Sequence, residues 1–390
     1  MTVPLQPAPD DPALPPLAPP PAPPPPFQAP ATPVEFPVGW LLDNAAPPIQ
    51  YRSLVEVARV SAEQVSRISN LPFTYRPALT LALHQGPDGG WGDTMLGVPS
   101  ARGGGVQGVG TINAVRRLLE YGWDRESPPL VRARRLLFRL LAEDNDPSLV
   151  YELAPHTKPD PELTQRARGI LREAAAATLA QAGYESDPRL RGAARRILDR
   201  IDVYMRSETS ARPWIRVGNR QVLAPEASPP SVYALSMLAH MPLFRNEHHM
   251  LIDRIFHYIS QPLPRQESAQ QLGTKIVPQP HLVLGDMLPH RNAVDADVPW
   301  ALVWLELMAR LGFLRRSETW SKLFDRFLDD RDRSAIWHPH KGLSMPKSTN
   351  PYVWPSFPLE SSEAGEERWS DVTFRLGLIA RHSGRPIELV

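Results

Sequence analysis

The stretch RNAVDADVPWALVW, residues 291–304, carries the residue types best suited to chemistry. Asp295 and Asp297 stand two apart, directly before a helix expected to begin near Pro299, a residue suited to a first helical turn. Carboxylates in that place have two uses. They accept the free amides of a helix N-terminus, or they act as catalytic or ligand-binding groups. Aromatic rings accompany them. Trp300 and Trp304 lie on the same helix, Trp320 and Trp337 follow, and Tyr352, Trp354 and Phe357 lie in the loop NPYVWPSFP. Ring faces attract a cation by roughly 0.5 to 2 kcal/mol each, and the same rings fill helical cores. Pro351, Pro355 and Pro358 stiffen that loop, which is expected to cap one mouth of a helical barrel.

Other clusters offer less. His338-Pro339-His340 is a candidate metal pair, set against a plain solvated loop, whereas the adjacent His248 and His249 point apart on a helix. Gly103-Gly104-Gly105 with Gly108 and Gly110 lacks the GK[ST] ending and a preceding strand, so it reads as a flexible connection into a helix at Thr111. There is no cysteine, which excludes disulfides, thiolate nucleophiles and cysteine-ligated zinc.

The elements that must position these residues are helical. Apolar residues recur at helical spacing over 52–69, 130–141, 168–182, 189–205, 232–243, 250–259, 299–314 and 320–328, with a last helix near 375–382 entered through Ser370 and Asp371 as cap candidates. No convincing block of alternating strands stands out. The helices come in pairs that resemble one another. TINAVRRLLEYGWDRES from Thr111 matches ALVWLELMARLGFLRRS from Ala301, with Gly122 and Gly312 placed for left-handed helix ends. The helices that follow also match, ending at Tyr151 and Trp337.

Composition bounds the rest. The 390 residues are 42% hydrophobic, enough for a sizeable core, and the formal net charge of +1 offers no broad field for nucleic acid. No apolar run reaches 18 residues, so no membrane span is expected, which leaves peripheral membrane contact open. No lysine or arginine precedes Arg52, which speaks against a secretory signal, and the default expectation is cytoplasmic. Residues 1–36 read as a proline-rich, disordered or polyproline tail of unknown protein partner, and 37–390 as one domain.

One further motif suggests a family. In HQGPDGGWGDTM, residues 84–95, Gln85 is followed by Gly89, Gly90 and Trp91. A glutamine at a helix end can bond orphan backbone groups and stack on the tryptophan, while the glycines allow a sharp turn. This motif resembles the glutamine–tryptophan repeat of squalene and oxidosqualene cyclases. WLLDNAAPPIQYRSLVEVA, from Trp40, is similar to the start of bacterial squalene-cyclase- and prenyltransferase-like proteins. Later copies, at Asn145–Tyr151 and Arg331–Trp337, keep only the aromatic end.

The resemblance implies an all-α fold, an α/α toroid of repeated hairpins. An open helical-repeat solenoid is the alternative. It implies an isoprenoid substrate, polyprenyl or squalene-like, protonated by Asp297 with Asp295 as its partner, inside a cavity lined by Trp300, Trp304, Trp337, Tyr352 and Trp354. Val298 stands where such cyclases carry a further aspartate. A chain of this length makes one toroid, whereas triterpene cyclases pair two. The prenyltransferase likeness raises a zinc site from Asp295 and Asp297 with His338 or His340, although the thiolate ligand is missing, and no cofactor or metal is expected. The competing expectation is a non-catalytic helical scaffold or lipid-binding protein that retains the fold without the activity.

Overall fold

The computed structural model describes residues 32–99, 105–142, 147–157, 160–288, 293–338, 350–360 and 369–390. These are mostly helical, and helices of two kinds alternate along the chain. In Thr111–Glu120, Val232–Ala239 and Val298–Arg310 nearly every side chain is buried. Pro128–Leu141, Pro188–Arg206 and Glu318–Asp329 bury one stripe and expose charge elsewhere. A helix buried around its whole circumference must be surrounded by others, while an amphipathic one can face water. The first kind therefore forms an inner set. The second half of Pro161–Gln181 and Trp369–Ser383 belong to it, and Pro47–Arg52 with its continuation Ser53–Ala58, buried only at Pro48, Ile49, Arg52, Ser53 and Val57, joins it by packing on Trp369–Ser383.

Inner helices touch in chain order. Thr111–Glu120 packs on Pro161–Gln181, that helix on Val232–Ala239, then Val298–Arg310, then Trp369–Ser383. The last of these returns to Ser53–Ala58. Arg52 Nη1 donates to the Glu120 carbonyl at 3.3 Å, linking the first inner helix to the second.

Four inner helices end in one way. Gly122, Gly183, Gly312 and Gly384 all have φ between 76° and 84°. The residue after each donates back to a carbonyl five positions earlier: Trp123 to Leu118, Tyr184 to Leu179, Phe313 to Met308 and Arg385 to Ala380, at 2.8–3.1 Å. This double-bonded left-handed ending satisfies carbonyls that the helix leaves free. Only the Gly122 and Gly312 copies stand out in the sequence, because their neighbours match.

The glutamine–tryptophan turn acts through hydrogen bonds. Gln85 Nε2 donates to Gly89 O at 3.0 Å and to Pro129 O at 2.7 Å, joining the turn to the helix Pro128–Leu141. Trp91 is buried, and its indole N–H donates to Leu81 O at 2.7 Å. Gly89 has φ +89°, and a Cβ there would lie 3.0 Å from the Arg132 backbone. The Trp91 amide donates to Thr111 Oγ1 at 3.0 Å, and in the degraded copy the Trp337 amide donates to Thr373 Oγ1 at 3.0 Å. Both threonines lie near the start of the next inner helix. The repeat survives in backbone geometry where its glutamine and glycines are gone.

Three expectations change. A parallel strand pair, Val34–Phe36 with Ile387–Leu389, places Val34 and Phe36 in the core, so folded structure begins inside the stretch assigned to the tail. Its partner lies at the other end of the chain, beyond the reach of local pattern. Residues 1–31 of the tail lie outside the described residues. Second, two short hairpins, Trp214–Val217 with Arg220–Leu223 and Ala269–Leu272 with Lys275–Pro278, join through a parallel contact of Leu223 with Gln270. Gly218 and Gly273, at φ near +58°, mark their two-residue turns. Four-residue strands are too short for alternation to show, although Gly218-Asn219 and Gly273-Thr274 were usable signals. Third, the single helix expected over 52–69 is broken at Arg59, whose φ is +56°, and restarts at Ala62 with a capping box from Ser61 and Gln64.

Candidate functional site

The predicted carboxylates take structural partners. Asp297 is the N-cap of Val298–Arg310, and its Oδ1 accepts from the Trp300 amide at 2.9 Å. Asp295 is exposed and receives two hydrogen bonds from Arg326 Nη2, at 2.6 and 2.8 Å. A carboxyl that is to protonate an alkene must be desolvated and held neutral. Asp295 is instead exposed and paired with a guanidinium. The adjacent Asp297 spends a lone pair on its own helix.

The predicted aromatics separate into groups. Trp300 and Trp304 are buried with ring centres 5.8 Å apart. Trp337 is buried by the last inner helix through its bond to Thr373. Tyr352 meets Tyr233 edge-on at 5.5 Å, and Trp354 lies under the Arg117 guanidinium at 5.2 Å. Clefts of about 400 to 680 Å³ among the described residues are lined by other side chains. His338 Nε2 lies 2.8 Å from Asp332 Oδ2, and His340 lies outside the described residues. Among the described residues no group of three or more His, Cys, Asp or Glu could hold a metal ion.

Residues 350–360 reach inward rather than only over a mouth. Arg117 donates to Trp354 O at 2.9 Å and to Pro358 O. Arg375 donates to Ser356 O, Tyr75 Oη donates to Leu359 O at 2.9 Å, and the Leu359 amide donates to Asp371 Oδ2 at 2.5 Å. The loop is thus tied to the second and last inner helices. Val353, Phe357 and Leu359 join the core.

Beside it lies an alternating ring of three arginines and three glutamates. Arg52 donates to Glu120 Oε2 at 2.6 Å, and Arg375 reaches the same oxygen at 2.8 Å. Arg375 Nη1 lies 2.5 Å from Glu306 Oε2, and Glu306 Oε1 accepts from Arg310 Nε at 2.9 Å. Arg310 Nη2 stands 3.7 Å from Glu56, which bonds Arg52 and closes the circuit. Gln181 Nε2 donates to Glu120 Oε1 at 2.8 Å. Glu56, Glu120, Gln181 and Arg310 lie in the last turns of inner helices, whereas Arg375 lies near the middle of the last one.

Electrostatics follow from the pairing. Burial pushes the Glu120 carboxyl up, but Arg52 and Arg375 outweigh it and hold it at about 2. Glu306 is likewise held far below the carboxylate range by Arg375 and Arg310 against burial. Two imidazoles flank the ring. Burial, then Arg310, lowers His240 to about 4 and His382 to about 3, so both are neutral at pH 7. Asp371, fully buried under the 350–360 loop, differs: burial raises it to about 6 against the pull of Arg375 and the Leu359 amide. A cleft of about 420 Å³ opens beside the ring, lined by Arg52, Glu56, Glu120, His240 and Arg310 among others. None of the ring carboxylates is poised to give up a proton near neutrality.

Sequence reasoning missed this ring. Its signal was present: Glu306 is the one acid in VPWALVWLELMAR, and Arg375 is the one charge in VTFRLGLIA. Lone charges in apolar helices are buried only when paired. Their partners lie too far away in the chain to be read from spacing. Comparison with family profiles, with characterised proteins and with solved structures finds no match to this chain.

Proposed function

We propose that the chain is a single α/α toroid that serves as a binding scaffold and does not cyclise an isoprenoid. The toroid reading is supported by inner helices that touch in chain order and return to the first, and by their shared glycine endings. The observation that carries the non-catalytic reading is the content of the inner set. Cyclisation of a polyprene needs an apolar cavity in which an acid meets an alkene and ring faces meet a cation. Here the 350–360 loop and a closed Arg–Glu ring occupy the ground between inner helices, while Asp297 caps a helix.

The test is direct. Purified full-length protein is incubated with squalene, oxidosqualene and prenyl diphosphates, and products are followed by gas chromatography with mass detection. No turnover is expected. Turnover that is lost in Asp297→Asn would overturn the scaffold reading and restore the protonation mechanism.

A further inference from the structure

A second cleft, of about 400 Å³, lies between Pro161–Gln181, Pro188–Arg206, residues 225–229 and the end of the second hairpin. That volume is within the range of small-molecule sites. Its walls are pre-organised. The Gln270 amide, buried in the hairpin, donates to the carbonyls of Ala224, Pro225 and Ala227 at 2.7–3.1 Å and fixes the 224–227 wall. Arg166 is locked against Glu162 at 3.1 Å and against Gln270 Oε1 at 3.2 Å. The exposed Arg200 pairs with the buried Glu173 at 2.6 Å, and Ser231 donates to the other oxygen of that carboxylate.

Two polar side chains of the cleft have no partner among the described residues. Gln279 and His281 are only 6% and 8% exposed, and both line the cleft. Among the described residues neither the Gln279 amide nor the His281 ring has a hydrogen-bonding partner. Both line the cleft, so their polar atoms are open to whatever occupies it. Burial outweighs the opposing pull of Glu173, with a smaller aid from Arg200, and keeps His281 neutral, with one donor and one acceptor.

The balance of groups indicates which ligand. Arg166, Arg172, Arg196 and Arg200 line the cleft, and each guanidinium carries five N–H donors and no acceptor. Glu173 is already engaged by Arg200 and Ser231, and Glu162 by Arg166, while Glu226 stands at the exposed rim. Arg172 and Arg196 also donate to Ala142 O and Leu141 O, at 3.3 and 3.2 Å, but the lining sets four arginines against three glutamates, so it favours an acceptor-rich molecule, and guanidinium geometry matches planar or tetrahedral oxygens. We propose that this cleft binds a small oxyanion ligand, bearing a carboxylate or phosphate group, with Gln279 and His281 orienting it. The proposal goes beyond the scaffold reading and does not depend on it.

The experiment titrates inorganic phosphate and, separately, citrate into the full chain at constant ionic strength set with sodium chloride. Binding is read by calorimetry and by the rise in melting temperature, which mass action requires of a ligand of the native state. Saturable binding of either probe is expected, with Kd of about 1 mM or tighter, weakened about tenfold or more in Gln279→Glu, where a carboxylate faces the anion. Phosphate alone assigns a phosphorylated ligand, citrate alone a carboxylic acid, and both a general oxyanion site. The same charge change outside the cleft, Gln64→Glu, should leave binding unaltered. If Gln279→Glu does not fold, His281→Asn gives the same reading. The proposal is overturned if neither probe saturates by about 10 mM, well past the weak end of specific affinity, or if the cleft variants bind as wild type does.

Discussion

Arg375 stands 2.8 Å from Glu120, a residue 255 positions earlier in the chain. One contact thus joins the last inner helix to the second. Through Arg52 it also reaches the first.

That position makes Arg375 the residue whose loss should be felt most. Arg375→Met leaves Glu120 and Glu306 short of a buried cation, and breaking a buried pair costs about 3–5 kcal/mol. Urea unfolding should show a fall of that size. The double variant Arg375→Met with Glu306→Gln should lose less than the sum of the two single changes, because the orphaned charge is also gone. Additive losses would mean that the two side chains do not interact.

The pH dependence should run in opposite senses at two buried carboxyls. Glu120 is held at about 2 in the fold, below its unfolded value of about 4.3. Its contribution is therefore present above about 4.3 and is lost as pH falls toward 2. Glu120→Gln should cost about 3 kcal/mol at pH 7 and less at pH 3. Asp371 is raised to about 6, above an unfolded value of about 3.9. Its favourable term is full below about 3.9 and is lost as pH rises through 6. Asp371→Asn should match wild type near pH 4 and exceed it by about 2–3 kcal/mol at pH 7.5. Chemical denaturation at the stated pH values checks both, and a pH-independent gap in either variant would refute its assignment.

The two tryptophan turns should respond alike despite their different sequences. Thr111→Val and Thr373→Val each keep the side-chain shape and remove the acceptor for a buried amide, of Trp91 and Trp337 respectively. Each should cost about 1–3 kcal/mol. A loss confined to Thr111→Val would mean that the second turn is no longer part of the repeat.

Asp297 can be tested as a cap. Asparagine caps as well as aspartate does, so Asp297→Asn should change stability by a few tenths of a kcal/mol, and Asp297→Ala should lower it by about 1 kcal/mol. Equal losses in both variants would point to a role for the charge itself.

Local chemistry was enough to determine much of this protein from sequence. Helical periodicity located the helices, Gly122 and Gly312 marked left-handed endings, and Gln85, Gly89 and Trp91 marked a clamp rather than an active site. Each depends on residues within a few positions of one another. Capping by Asp297 was readable for the same reason. What the tertiary structure alone decided depends on distant partners. Val34–Phe36 became a strand because Ile387–Leu389 lies beside it. Asp295 became one half of an ion pair because Arg326 faces it. Glu306 and Arg375 stand out as lone charges in apolar helices, but their partners do not, and with Glu120 they are tolerated inside only because three helices bring them together. Gln279 and His281 carry no pattern at all. They matter because folding sets them along a cleft with no partner among the described residues.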